Sequence, residues 1–159
     1  MRRVRSTDTT PERKVRSLLH KLGFRFRLQR RDLPGKPDIV LPKRRTVIFV
    51  HGCFWHRHPG CSRATTPSSS QEYWLPKFRR TIERDKKNQD ELRRQGWNVI
   101  VVWECEVKHL TDHPAELAEL ICQGRALLPG PGQSGEELHE LLMVAEDGKD
   151  WKMREKSEE

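Results

Sequence analysis

In a chain where charged residues are as common as hydrophobic ones, at 34% each, residues 99–103 read Val-Ile-Val-Val-Trp without a polar break. A continuous apolar run of this length, rich in β-branched residues, is a strand suited to the centre of a sheet. With 159 residues the chain suits one domain with one core. The other segments are therefore read for what they place around that strand.

A helix is expected from Thr10, as N-cap, with Pro11 at its first position and Gly23 as its stop. Val15, Leu18, Leu19 and Leu22 recur in it at helical spacing. Residues 24–28 alternate apolar side chains with arginine, as an amphipathic strand does. Residues 33–37 (Leu-Pro-Gly-Lys-Pro) form a turn before a short strand over 38–41, and residues 42–45 form a tight connection to a more buried strand over 46–50. These two strands make a hairpin with Asp38 at one end and His51 at the other. Residues 51–70 are loop-like. Because Pro76 is tolerated only near a helix start, the next helix is expected from about Trp74 to Gln95, ended by Gly96. A last core helix starts near Pro114 and carries Leu117, Leu120 and Ile121. The order predicts an α/β fold, a mixed sheet flanked by helices, over residues 1–128. Residues 129–159 are read as a Pro/Gly linker, a short helical stretch and an acidic tail.

The charge is uneven. Residues 1–63 hold 17 Lys/Arg and 4 Asp/Glu, a net of +13, whereas residues 130–159 hold 4 basic and 9 acidic residues, a net of −5. A cationic body points to a polyanionic partner, nucleic acid being the usual one, with a solvated basic surface as the alternative. No stretch approaches the roughly 18–20 apolar residues that span a bilayer, and no apolar segment follows the basic first residues. A soluble, cytoplasmic protein associated with the nucleoid is the expectation.

Without a secretion signal, disulfides are a poor expectation for Cys53, Cys61, Cys105 and Cys122. The run His51-Gly52-Cys53-Phe54-Trp55-His56-Arg57-His58-Pro59-Gly60-Cys61 suggests metal instead. Tetrahedral zinc takes thiolate and imidazole ligands, often close together in a turn-rich loop, and Cys53, His58 and Cys61 fit that. Cys105, just past the 99–103 strand, can supply the fourth ligand and close the site as a structural one. Cys122 is expected to be a small buried hydrophobe on a helix. Free thiols beside surface histidines are the competing reading.

Asp38 and His51, one strand apart, form a second constellation. Phosphodiester cleavage needs a carboxylate to hold Mg2+ against the phosphate and a base to activate water. Asp38 can be the first, and a histidine not bound to zinc can be the second, since histidine titrates near neutrality. Asp85 interrupts an apolar face made by Phe78, Ile82, Gln89 and Leu92, so it is read either as a partner that fixes a histidine tautomer or as a salt bridge to an arginine. Glu12 is a further candidate acid, or a helix-start glutamate favoured by the dipole. The aromatics Phe54, Trp55, Tyr73 and Trp74 either insert between base steps or pack around the metal.

Taken together, these residues resemble the very-short-patch-repair (Vsr) mismatch endonucleases from about Val4 to Val107. The resemblance rests on Thr9-Thr10-Pro11-Glu12, Leu33-Pro34-Gly35-Lys36-Pro37-Asp38, residues 49–56, Tyr73-Trp74 with Arg84-Asp85, and Gly96-Trp97 leading to Val102-Trp103-Glu104-Cys105-Glu106. It implies a restriction-endonuclease-like fold of the PD-(D/E)XK type and a single-strand cut 5′ to the thymine of a T:G mismatch, the alternatives being a related restriction-like endonuclease that cuts DNA in defence and a non-catalytic zinc-stabilised DNA-binding module. Such mismatches arise where 5-methylcytosine is deaminated. It implies Asp38 as the magnesium carboxylate, His56 as the catalytic histidine with Asp85 behind it, and His51 and Glu12 as supporting groups. Cys53, His58, Cys61 and Cys105 become the zinc ligands. Phe54, Trp55 and Trp74 become a wedge that enters the duplex, with Lys77 and Thr81 beside them on the DNA-facing surface. The implied partner is double-stranded DNA bound by a monomer, and mismatch-repair proteins are left open as further partners. Thr81 stands where the family usually has an asparagine, the arm before Thr10 is short, and the acidic tail has no family counterpart.

Overall fold

The computed structural model describes residues 7–28 and 30–123. The linker over 129–135, the helical stretch after it and the acidic tail lie outside the described residues.

The elements run α1 (Thr10–Lys21), β1 (Arg27–Leu28), β2 (Ile39–Leu41), a 3-10 turn, β3 (Thr46–His51), α2 (Gln71–Arg94), β4 (Asn98–Trp103), α3 (Val107–Asp112) and α4 (Pro114–Gln123). The four strands form one sheet in the order β1-β2-β3-β4. The first two pairs are antiparallel, and β3 pairs with β4 in parallel, with Ile48 opposite Ile100 and His51 opposite Trp103. The helix α2 makes the crossover between β3 and β4, as a parallel pair requires. The fold is thus the expected mixed sheet flanked by helices.

Two apolar layers hold it together. On one face Val15, Leu18 and Leu19 of α1 meet Ile39, Ile48, Ile100 and Val102 of the sheet and Val107, Leu110, Leu117 and Ile121 of α3 and α4. On the other, Leu92 of α2 covers Val40, Val47, Phe49 and Val99. Leu19, Ile48 and Ile100 are fully buried, and burying such a side chain is worth about 1.5–3 kcal/mol. Because successive residues of a strand alternate faces, both layers draw on β3 and β4. Hence the 99–103 run needs no polar break.

Several boundaries differ from expectation. The N-cap of α1 is Thr9, one residue earlier, with its hydroxyl donating to Glu12 Oε1 at 2.8 Å. The first strand shortens to Arg27–Leu28, while Phe24 and Phe26 pack against the core. Helix α2 begins at Gln71, so Pro76 lies inside it. Proline there removes the bond to the carbonyl of Glu72, an exposed first-turn residue whose carbonyl can turn to water. The short α3 was not anticipated: its six residues carry one apolar pair, Val107 and Leu110, too little for a periodic signal. Cys122 is exposed, not buried, because Leu117 and Ile121 take the apolar face of α4. Among the described residues no helix is long and apolar enough to cross a membrane.

Candidate active site

The parallel pair sets the site. At the C-terminal end of β3 the chain leaves the sheet at His51 and turns back through Gly52, with His56 N–H donating to Gly52 O at 3.1 Å. This return stacks the His56 ring on His51 at 3.9 Å between centroids and 11° between planes. His56 Nδ1 then meets Asp85 Oδ2 of α2 at 2.5 Å, while Asp85 Oδ1 takes Arg84 at 3.3 Å. Asp85 thus contacts both kinds of group, a histidine and an arginine, on separate oxygens.

Asp38, His51, His56, Asp85 and Glu12 all line one cleft, together with Arg84. Asp38 precedes β2, and its Oδ2 accepts from Val50 N–H at 2.8 Å across the hairpin. Burial pushes the Asp38 carboxyl up to about 6 and the nearby Glu12 charge adds to this, against the Val50 hydrogen bond. Burial likewise pushes His51 down to about 3, helped by His56, so its imidazole is neutral. Burial alone would raise Asp85, but its hydrogen bond with His56 and the charges of His56, His51 and Arg84 outweigh it, and the carboxylate sits below its ordinary value. Glu12 is buried, and its carboxylate accepts from Asp8 N–H at 2.9 Å and from the Thr9 hydroxyl. It closes the start of α1 as a capping box would while forming part of the cleft wall.

A second cluster draws on the same loop and the residue just past β4. The ligand atoms of Cys53, His58, Cys61 and Cys105 all come within 4.8 Å of one another. His58 Nδ1 is 3.8 Å from Cys53 Sγ and 3.2 Å from Cys105 Sγ. Its ring stacks on Trp103 at 4.3 Å, and its Nε2 lies 3.9 Å from Glu106 Oε1. A histidine with one nitrogen toward thiols and the other toward a carboxylate is arranged as metal-bound histidines are. Burial raises Cys53, and burial with the facing Cys53 thiol raises Cys105 to about 12. Cys61 is lowered, chiefly by the backbone N–H of Arg63. Three thiols and one imidazole fit a tetrahedral cation such as zinc. All four cysteines are free of disulfides, and Cys122 is outside the cluster.

The aromatics gather on the same loop and the first turns of α2. Phe54 packs edge-on against Trp55 at 5.1 Å, Phe78 at 5.3 Å and Trp74 at 5.7 Å, and Trp74 stacks on Phe78. Trp55 is 36% exposed and Tyr73 61%, whereas Phe54 and Trp74 are half-buried. Lys77 Nζ lies 5.1 Å from the Trp55 ring and 5.5 Å from Trp74, and donates to the Tyr73 hydroxyl at 3.2 Å. The Thr81 hydroxyl donates to Lys77 O at 3.0 Å, so its proton is turned to its own helix. Two groups given no role from the sequence stand out: Glu106 and Arg84. A signal existed for both, since each adjoins a residue that was singled out.

The sequence profile described as DNA mismatch endonuclease Vsr matches residues 1–63. The chain is 51% identical over 121 residues to the type II nicking enzyme V.XorIIP of Xanthomonas oryzae pv. oryzae, covering 76% of this chain and 88% of that one. It is 48% identical over 109 residues to the type II nicking enzyme V.NmeAIP of Neisseria meningitidis serogroup A, covering 69% and 77%. It is 42% identical over 127 residues to the DNA mismatch endonuclease Vsr of Escherichia coli, covering 77% and 81%.

Proposed function

The chain belongs to the Vsr family of DNA mismatch endonucleases, and on that premise we propose how it acts on DNA. Membership makes it a nuclease and implies a restriction-endonuclease-like fold, with which the mixed four-stranded sheet agrees. The reading is a Mg2+-dependent nick in one strand, 5′ to the thymine of a T:G mismatch, in very short patch repair of deaminated 5-methylcytosine. The observation that carries it is the His56–Asp85 pair in one cleft with Asp38. That constellation supplies a base, its orienting acid and a metal carboxylate together.

Asp85 accepts from Nδ1–H of His56, which leaves the lone pair on Nε2 to take a proton from the attacking water. His51, neutral and stacked on His56, restricts the rotation of that ring. The Val50 N–H fixes one oxygen of Asp38, and the carboxylate would hold Mg2+. The ion, when bound, supplies positive charge to the phosphate under attack. Glu12 supports the cleft wall through its cap.

Cys53, His58, Cys61 and Cys105 would hold Zn2+ as a four-ligand structural site. Holding it would tie the 53–61 loop, and thus His56, to the end of β4. The rigid loop also carries Phe54 and Trp55, which with Trp74 would insert beside the mismatch, where unstacking costs least. Lys77 and Thr81 flank them. Sequence-blind affinity comes from the basic surface.

One catalytic cleft per chain suits a monomer that makes a single cut. The relatives named type II nicking enzymes support one-strand cutting over a double-strand cut. Incubating T:G and T:A duplexes with magnesium tests the reading. A nick confined to the T:G duplex is expected, and an uncut T:G duplex would sink it.

A further inference from the structure

Resting on that reading, we propose that Arg84 is a further catalytic residue, whose guanidinium contacts the non-bridging oxygens of the scissile phosphate. The cleft is short of positive charge where it is needed. Asp38, Glu12, Asp85 and Glu104 are four carboxylates in its lining, and His51 is buried beside them. A polyanionic substrate must come against that set. In phosphodiester hydrolysis negative charge builds on the non-bridging oxygens, and arginine and metal clamps are the groups that stabilise it.

The cations near the cleft are not equivalent. Arg16 is spent on acids of its own helix start, 2.5 Å from Asp8 and 3.8 Å from Glu12. Arg31 and Lys36 line the cleft from the turn before β2. Arg84 alone among them is joined to the base. Its NH2 reaches Asp85 Oδ1 at 3.3 Å, while Oδ2 of the same carboxylate holds His56. One carboxylate thereby fixes the distance between a base and a cation.

The side chain of Arg84 is 62% exposed, and Asp85 is its one partner among the described residues. Exposure on a cleft wall leaves Nε and NH1 of the fork for a phosphate, which guanidinium binds through paired hydrogen bonds. Arginine stays protonated, so Arg84 carries charge and transfers no proton. The step balances without it: the water oxygen bonds to phosphorus and gives its proton to His56 Nε2. The bond to the leaving sugar oxygen breaks, and that oxygen takes a proton from solvent.

The test compares wild type, Arg84→Gln and Arg84→Lys on a T:G duplex. In one arm, single-turnover nicking with magnesium is timed. Loss of about 100- to 1,000-fold is expected for Arg84→Gln, the scale of losing one preorganised charge-stabilising donor. Arg84→Lys is expected to recover part of it. In the second arm, binding is measured without magnesium or calcium, with the phosphate 5′ to the thymine either natural or replaced by a neutral methylphosphonate. Wild type should bind the methylphosphonate duplex about tenfold more weakly or worse, as for a hydrogen bond to a charged group, and Arg84→Gln should bind both alike. A rate loss with an unchanged methylphosphonate penalty would overturn the proposal and leave Arg84 acting only through Asp85. An Arg84→Gln enzyme with the wild-type rate would overturn it outright. A wild type that fails to nick T:G overturns the function proposed above instead, and the binding arm still decides Arg84.

Discussion

His56 Nδ1 and Asp85 Oδ2 lie 2.5 Å apart, although they stand 29 positions apart in the chain. The bond joins the metal-type loop to α2, the helix that crosses between the two parallel strands. It converts a histidine that could rotate freely on a loop into one held in a fixed direction. We predict that His56→Ala lowers the nicking rate about 100- to 10,000-fold, the usual range for a positioned base. Asp85→Asn should fall in the same range with native circular dichroism, because an amide cannot hold the same tautomer. Single-turnover nicking with strand-labelled DNA checks both.

Asp38 gives a pH-dependent prediction. Its folded value of about 6 lies above the ordinary carboxylate value of 3.8. Between about pH 4 and 6 the native state holds a proton that the unfolded chain has released, so this group's contribution to stability falls as pH rises through that window. Above pH 6 the full cost of a buried charge remains, up to about 3 kcal/mol. Asp38→Asn should therefore raise Tm at pH 7.5 in magnesium-free buffer and make no difference near pH 4. Magnesium should raise the Tm of wild type but not of the variant, which should not nick. Equal Tm values at pH 7.5 would contradict the burial.

The thiol cluster predicts one tightly bound zinc per chain, measurable by elemental analysis. Cys53→Ser and Cys105→Ser should yield insoluble or unfolded protein, because a closed site contributes directly to folding. Glu106→Gln should fold and release zinc faster to a chelator, since it removes the carboxylate 3.9 Å from His58 Nε2. A soluble, active Cys105→Ser enzyme without zinc would argue against a structural ion.

The aromatic cluster separates into two kinds of residue. Trp55 is exposed beneath Lys77, whereas Trp74 stacks on Phe78. Trp55→Ala should keep the salt-dependent affinity for perfect duplex and lose the preference for mismatched DNA. Trp74→Ala should lower Tm as well, because it leaves a gap beside Phe54 and Phe78. Binding measured at two salt concentrations, with a melting curve for each variant, distinguishes these outcomes. If Trp55→Ala weakens both duplexes equally, insertion is the wrong description.

Much of this was legible before any coordinates. The 99–103 run becomes β4, and the donors in the 51–61 run meet Cys105 because parallel pairing places His51 opposite Trp103. Local rules failed where two signals competed. Thr9 and Thr10 are both good caps, and the contact of Thr9 with Glu12 decides between them. Pro76 suggested a later start for α2 than the one found. Cys122 sits one residue past Ile121 and so falls about 100° round the helix, out of the core. The division of Asp85 between His56 and Arg84 was not readable from spacing, because it depends on how the 52–56 turn folds back over the sheet.

The most direct measurement maps the cut. A duplex with one T:G mismatch, labelled separately on each strand, is incubated with purified protein and magnesium and resolved beside a sequencing ladder. The expected product is one nick, 5′ to the mismatched thymine, on the thymine strand alone, with the T:A duplex untouched. Cutting of both strands, or equal cutting of the T:A duplex, would contradict a mismatch-specific nicking enzyme.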